Sequence, residues 1–216
     1  MSTINEVSLI LLGAGVSYLI GSMPTALWVG KAFFGLDIRE HGSGNSGASN
    51  TFRVLGKKAG IAVLLIDVIK GLTAASLVRY FSFVELGSIR YVNLQLLFGL
   101  SAVVGHIFPI YAKFKGGKGI ATLLGMLIAI HYLSALVCMG LFLGTLFSTR
   151  YVSLSSILTA VAFPFIAVFL YKNEEPMFVA FGIAAALMVV LTHQKNIKRL
   201  VAGNENKAKL LKKHRQ

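Results

Sequence analysis

Acidic residues are scarce in this chain: eight Asp and Glu stand against 21 Lys and Arg, and charges of both signs make up only 13% of it. A soluble domain carries about 25% charged and about 45–50% apolar residues. Here 56% of the residues are apolar and the mean hydropathy is +0.74. That balance excludes an ordinary soluble domain. It also excludes a nucleic-acid binder, which would not place more than half its residues in apolar side chains. One cysteine, Cys138, excludes an intrachain disulfide and a thiolate metal site, and it sits in an apolar run as a small hydrophobe. No internal repeat or separate soluble segment interrupts residues 1–216, so a single membrane domain is expected. What remains is a basic, polytopic membrane protein whose positive groups face anionic lipid or an anionic substrate.

Apolar runs cover roughly 7–29, 60–80, 92–112, 119–148, 154–171 and 176–193. Most approach the 20 or so residues that cross about 30 Å of hydrocarbon. No basic segment precedes the first run, which is therefore expected to stay as a span rather than be cleaved as a signal. Ile120 to Phe147 is a run of 28 residues. As one helix it would be about 42 Å long, so a turn is expected at His131-Tyr132, giving seven spans. With seven, 17 of the 21 basic residues fall on one side, in loops near 31–58, 112–119 and 148–153 and in the tail 194–216. Arg79, Arg90 and Lys172 fall on the other side, and Lys70 lies within a span. The positive-inside bias then puts the N-terminus outside and the tail in the cytoplasm. The expected fold is an all-α bundle of seven transmembrane helices.

Three segments on the basic side carry the polar chemistry. The first, HGSGNSGASNTFRVLG, sets Gly42, Gly44 and Gly47 among Ser43, Asn45, Asn50 and Arg53. Glycines let a backbone fold its amides around an anion, short Ser and Asn side chains add donors, and Arg adds a planar fork. A flexible polar connector is the competing reading of such a loop. The second, GHIFPIYAKFKGGKGIATLLG, runs Gly116, Gly117, Lys118 and Gly119 straight into an apolar helix, a second candidate anion cradle. It lacks the GxxxxGK[ST] spacing of a P-loop. A positive-inside anchor accounts for its lysines but not its glycines. His106 stands just upstream and reads as a packing histidine or a ligand contact. In the third, THQKNIKRLVAGNEN, a continuing helix would align His193, Asn196 and Arg199 on one face. His193 is a candidate proton acceptor and Asn196 its orienting partner; an interfacial amphipathic tail is the equal alternative. Inside the second span, Asp67 and Lys70 sit three apart on one helix face. Intramembrane charges are costly. Asp67 reads as half of a structural ion pair, with Lys70 as its partner or a contact to a substrate anion.

These ordered blocks, GSGNSGASNTFR, GHIFPIYAKFKGGKG and HQKNIKRLVAGNEN, resemble the three signature segments of the bacterial acyl-phosphate:glycerol-3-phosphate acyltransferases, and the resemblance runs from Gly21 to Glu205. It implies seven spans in the cytoplasmic (inner) membrane with the signature segments facing the cytoplasm. It also implies transfer of a fatty acyl group from acyl phosphate to the 1-hydroxyl of glycerol 3-phosphate, giving lysophosphatidate. Carried over residue by residue, it marks Ser43, Asn45, Asn50 and Arg53 in the first block. It marks His106, Gly116, Gly117, Lys118 and Gly119 in the second, and His193, Asn196 and Glu205 in the third. His193, Ser43 and Asn196 are the expected catalytic set; Asn45, Asn50, Arg53, His106, Gly116, Gly117, Lys118, Gly119 and Lys70 the substrate contacts; Glu205 and Asp67 structural. Ser46 and Ser49 differ from residues frequent in that family.

The His-x4-Asp pattern of acyl-CoA and acyl-carrier-protein acyltransferases is absent: five residues after His41, His106, His131 and His193 stand Ser46, Tyr111, Leu136 and Lys198. No metal cluster or nucleotide fingerprint is present in the sequence, so neither metal nor cofactor is expected. The expected partners are the two phosphorylated substrates and a bilayer with anionic lipids. A transporter or channel for a phosphorylated solute is the alternative class, since basic glycine-rich loops and Asp67/Lys70 would also suit a conduction path. A noncatalytic scaffold is the third.

Overall fold

In the computed structural model residues 3–171 and 176–208 are described, and among them every regular element is helical. Lys172 and the four basic residues beyond Ala208, which entered the charge count, lie outside the described residues. The chain divides into two compact units, Met1–Tyr132 and Leu133–Gln216.

In the first unit, α1 (Thr3–Ser22) and α2 (Thr25–Phe34) are two parts of one apolar stretch broken at Met23-Pro24. Pro24 has no N–H to give and its ring disfavours helical geometry just before it. The carbonyl of Met23 is taken instead by the Thr25 amide at 2.9 Å and by the Lys70 ammonium. After a glycine-rich loop come the short α3 (Ala48–Val54) and the long α4 (Lys57–Ser76), then α5 (Ile89–Ile107) and α6 (Ile120–Ile130). Ser88 caps α5 by accepting the Tyr91 amide at 3.1 Å. Pro109 ends it, keeping Phe108 out of helical geometry, φ -121° and ψ 64°.

Helix α4 is the hub of this unit, packing on α1, α2, α3, α5 and α6. Where α4 meets α6, a methyl on Gly71 would collide with the Thr122 carbonyl and one on Gly125 with the Val68 carbonyl, so the backbones touch directly. Small residues lie inside and Leu11, Leu12, Leu65 and Ile69 outside. That is the arrangement of helices packing in lipid, where apolar bulk gains nothing by facing inward.

The second unit holds all but the first residue of α7 (Tyr132–Thr149), together with α8 (Val152–Tyr171), α9 (Pro176–Thr192) and α10 (Gln194–Val201). Phe163 of α8 meets Phe178 and Phe181 of α9 edge to face, with ring centroids 5.5 and 5.8 Å apart. This geometry suits the ring quadrupoles.

Five helical stretches among the described residues are long and apolar enough to cross a membrane, or six if the bent pair α9–α10 is one span. The expected break falls at His131, between α6 and α7. Seven spans would need α6 as well, whose 11 residues make about 16 Å of helix, half the hydrocarbon thickness.

Candidate active site

Leu36–Gly56, between α2 and α4, is organised around Asn50, which is 1% exposed. Its Oδ1 accepts the Ser43 amide at 2.9 Å and an Arg53 Nη1 hydrogen at 3.3 Å. Its Nδ2 donates to the carbonyls of Ile38 at 3.1 Å and His41 at 3.0 Å. Both donors and the acceptor of this amide are thus engaged within the loop. Gly42 and Gly44 take left-handed backbone angles that turn the chain around it. The Ser43 side chain and Arg53 are exposed, Asn45 is half-buried and Ser46 is buried.

Just before this loop, Arg39 forms a bidentate pair with Asp37, Nε to Oδ1 at 2.9 Å and Nη2 to Oδ2 at 2.6 Å. Its remaining nitrogen, Nη1, donates to the Ala112 carbonyl at 3.3 Å. The Arg39 hydrogen bond, with further help from the charge of Lys31, lowers the Asp37 carboxyl to about 2 despite some opposing burial. Ser46 Oγ donates to the Lys115 carbonyl at 3.4 Å. Arg39 and Ser46 thus tie the first signature block to the second. Between the two blocks lies an open hollow of about 410 Å³ lined by Asp37, Arg39, Glu40, Gly44, Lys113 and Lys115.

The second block folds back on the end of α5: the Gly116 amide donates to the Ile107 carbonyl at 3.1 Å and the Gly117 amide to the His106 carbonyl at 3.0 Å. The His106 ring lies directly behind Gly117, where a β-carbon would collide with its Nε2. Lys113 and Phe114 both hold left-handed angles, φ 55° and 58°. Conformations of this kind cost about 1–3 kcal/mol each in non-glycine residues and concentrate at functional sites. Gly119 then opens α6 without a side chain to cap its first turn, leaving the positive end of that helix beside Lys118.

In the second unit the helix does not continue straight through the third block; α9 and α10 meet at 64° at His193. His193 Nδ1 bonds the Val189 carbonyl at 2.8 Å, a carbonyl its own amide also uses at 3.0 Å. A ring inserted into the backbone ladder in this way bends a helix. Because a carbonyl only accepts, Nδ1 carries the proton, and the basic nitrogen of the neutral ring is Nε2. The expected single face of His193, Asn196 and Arg199 is therefore split: Asn196 and Arg199 share a side of α10, and His193 stands at the bend. Glu205 gathers that side, Oε1 accepting from Asn196 Nδ2 at 2.7 Å and Ser153 Oγ at 2.9 Å, Oε2 from Arg199 Nε at 2.6 Å. Burial would raise the Glu205 carboxyl, but the bonds from Arg199, Asn196 and Ser153 outweigh it and hold it below the ordinary range.

Residues 11–203 match the family described as glycerol-3-phosphate acyltransferase. The chain belongs to this family. It is 42% identical to the glycerol-3-phosphate acyltransferase of Chlorobium phaeobacteroides (strain DSM 266), over 90% of this chain and 94% of that one. It is 45% identical to that of Chlorobium limicola, over 89% and 93%. Its fold is similar to the crystal structure of PlsY (YgiH), an integral membrane glycerol 3-phosphate acyltransferase, in the glycerol 3-phosphate form. The TM-score is 0.80 at 34% identity, covering 92% of this chain and 95% of that one. For the lysophosphatidic acid form the TM-score is 0.76 at 33% identity, covering 92% and 94%. This acyltransferase is thus an integral membrane enzyme of phospholipid synthesis.

In the first unit of the acyltransferase, Ser43 and Asn45 lie on the glycine-rich loop and Asn50 and Arg53 on α3, which follows it; Ser46 and Arg39 join this stretch to the segment that leads into Gly116–Gly119. Lys70 lies apart from them, 3% exposed and bound to Asp67 Oδ1 at 2.7 Å, within the helix interior. In the second unit Glu205 bonds Asn196, and His193 stands at the bend between α9 and α10. Reading the sequence missed Asp37 and Arg39 as the strut between loops, and Ser153 as a partner of Glu205. The Asp-x-Arg spacing before a glycine loop was the only available sign of the first. Among the described residues no group of three or more His, Cys, Asp or Glu is placed to hold a metal ion.

Proposed function

We propose that this acyltransferase draws its acyl group from an acyl phosphate and delivers it to the 1-hydroxyl of glycerol 3-phosphate. The hydroxyl oxygen bonds to the acyl carbon, the carbon–oxygen bond to phosphate breaks, and phosphate leaves with that electron pair. The hydroxyl proton passes to a base. The products are lysophosphatidate and phosphate.

The observation that carries this reading is the junction in the first unit: two glycine-rich turns, held together by Arg39 and Ser46, flank one hollow where Arg39, Lys113 and Lys115 outnumber the carboxylates of Asp37 and Glu40. Backbone amides and fixed cations of this kind suit phosphate oxygens. Arg53, Lys118 and the Gly119 amide are the phosphate contacts, with Asn45 and His106 beside them; Gly116 and Gly117, whose amides bond Ile107 and His106, shape the turn that presents them. Ser43 is a hydrogen-bond donor to phosphate or carbonyl rather than a nucleophile. Asn50 acts by shaping the loop. His193, with Nε2 as its basic nitrogen, accepts the hydroxyl proton, with a substrate phosphate oxygen as the competing acceptor; Asn196 orients and Glu205 holds Asn196. Binding that places the hydroxyl against the carbonyl supplies about 7–11 kcal/mol of the barrier in favourable cases. An acyl phosphate asks for little more, because its leaving group is a stabilised anion.

The PlsY structures in glycerol 3-phosphate and lysophosphatidic acid forms are those of a protein with this substrate and this product, which supports the same pair here. The missing His-x4-Asp pattern supports acyl phosphate over a thioester donor. The basic loops support seven spans in the bacterial inner membrane, N-terminus outside, the site facing the cytoplasm and its anionic lipids. Transport of a phosphorylated solute is less favoured, because Asp67 and Lys70 are engaged with Thr25, Met23 and each other rather than lining a path. Purified protein supplied with glycerol 3-phosphate and either acyl phosphate or acyl-CoA decides the matter: turnover with acyl phosphate alone is expected, and turnover with acyl-CoA alone rejects the donor.

A further inference from the structure

Four polar side chains meet in the helix interior of the first unit: Thr25 is 7% exposed, Asp67 1%, Lys70 3% and His106 8%. They converge on one atom. Asp67 Oδ1 accepts from Thr25 Oγ1 at 3.1 Å and from Lys70 Nζ at 2.7 Å, and faces His106 Nδ1 at 3.8 Å. Thr25 opens α2, Asp67 and Lys70 belong to α4, and His106 lies near the end of α5.

Each of the outer two helices leads directly into a signature block. From Thr25, α2 leads through the turn after Phe34 to Ile38, which packs with Ala26 of α2 and with Val63, one turn before Asp67 on α4. The Ile38 carbonyl then anchors Asn50, the centre of the first loop. From His106, the backbone carbonyl holds the Gly117 amide while the ring fills the space behind the Gly117 α-carbon. One oxygen of Asp67 therefore stands between the supports of both glycine-rich turns.

Neutralising Lys70 is too small a role for this arrangement. A buried ion pair can be replaced by apolar residues of similar volume with little loss of stability, so charge balance alone does not call for Asp67. Thr25 is neutral and gains nothing from charge compensation. It is nonetheless drawn onto the same oxygen as Lys70, whose ammonium also holds the Met23 carbonyl at the break before Thr25.

We propose that Asp67 is a positioning residue of the acyltransferase: through Thr25 on one side and His106 on the other, it sets the separation of the two glycine-rich turns. This rests on the reading of those turns as the phosphate-holding parts of the site. Asp67 touches neither substrate. Its effect reaches the reaction as the distance between two sets of phosphate contacts, and so falls mainly on KM for glycerol 3-phosphate.

The test uses the full chain in detergent, with kcat and KM for glycerol 3-phosphate measured at saturating acyl phosphate beside the thermal midpoint. The Asp67→Leu/Lys70→Met double variant removes both charges and keeps the volume. It is expected to unfold within about 5 °C of the parent, with KM raised about ten-fold or more and kcat within about three-fold. Asp67→Asn and His106→Gln form a second, independent cycle, in which the double variant is expected to be no worse than the poorer single, because both interrupt one path. A folded Leu/Met variant with parental KM overturns the proposal, as do fully additive losses in the Asn/Gln cycle. Should the Leu/Met variant fail to fold, the Asn/Gln cycle decides. A parent that transfers no acyl group from acyl phosphate refutes the functional reading instead, whereas an active parent with parental KM in the variants refutes this inference alone.

Discussion

The two units hold their signature blocks by opposite means. In the first, the backbone does the shaping: glycines turn the chain, and the side chains of Asn50, the Asp37–Arg39 pair and His106 brace it at several points. In the second, one carboxylate does nearly everything, since Glu205 alone collects Ser153 of α8 and Asn196 and Arg199 of α10. A braced loop yields by degrees when one brace is cut. A cluster gathered on one residue fails at once.

That contrast can be broken most directly at Glu205. Glu205→Ala leaves three donors without their acceptor and the Arg199 charge without its partner. Hydrogen bonds to a charged group are worth about 1.5–3 kcal/mol each, so destabilisation of about 3 kcal/mol or more is expected, read as a lower thermal midpoint together with loss of acyl transfer. Parental stability would show that the cluster is not the anchor it resembles. Next in size is Gly117→Ala, which drives a methyl group into the His106 ring. Overpacking costs about 1–3 kcal/mol, and a turn displaced by an ångström costs about 100-fold in rate. Turnover should fall by that order in protein that still folds, and the added His106→Ala change should restore part of it.

Arg39→Lys keeps the charge but loses the fork, so the bond to Ala112 and the bidentate grip on Asp37 cannot both survive. A rise in KM for glycerol 3-phosphate of about five-fold with little change in kcat is expected; an unchanged KM would remove Arg39 from the bracing set. The smallest effect is one of pH. The Asp37 carboxyl is lowered from 3.8 to about 2, so its stabilising contribution is fully present above pH 4 and is lost as pH falls through that interval. Proteolytic cleavage within residues 36–56 should be constant from pH 7 to 5 and rise only below about pH 4, and Asp37→Asn should abolish that step.

Much of this was readable from residue order. Apolar runs of the right length and a lopsided charge count fix an α-helical membrane bundle, and three ordered blocks fix the family. Local rules placed the break at His131. The short α6 follows from that break, but the bond from Ser153 to Glu205 was not legible, because it joins residues 52 apart. Nor was the bend at His193, which depends on a ring nitrogen taking a carbonyl from the helix behind it. Lys70 illustrates the same limit: its place in a span was evident, but its bond to Met23 joins residues 47 apart. Arg39 was equally opaque, since its role depends on the Ala112 carbonyl 73 residues away.

The interrupted first stretch also bears on biogenesis. Met23 presents its carbonyl to a solvent that cannot hydrate it, and part of the remedy is an ammonium that the ribosome adds 47 residues later. The leading stretch of this protein, α1 with α2, thus cannot reach its final form while it is alone in the translocon. It must wait in a provisional, partly wetted state until α4 arrives, which makes membrane insertion of these segments a joint event rather than a procession.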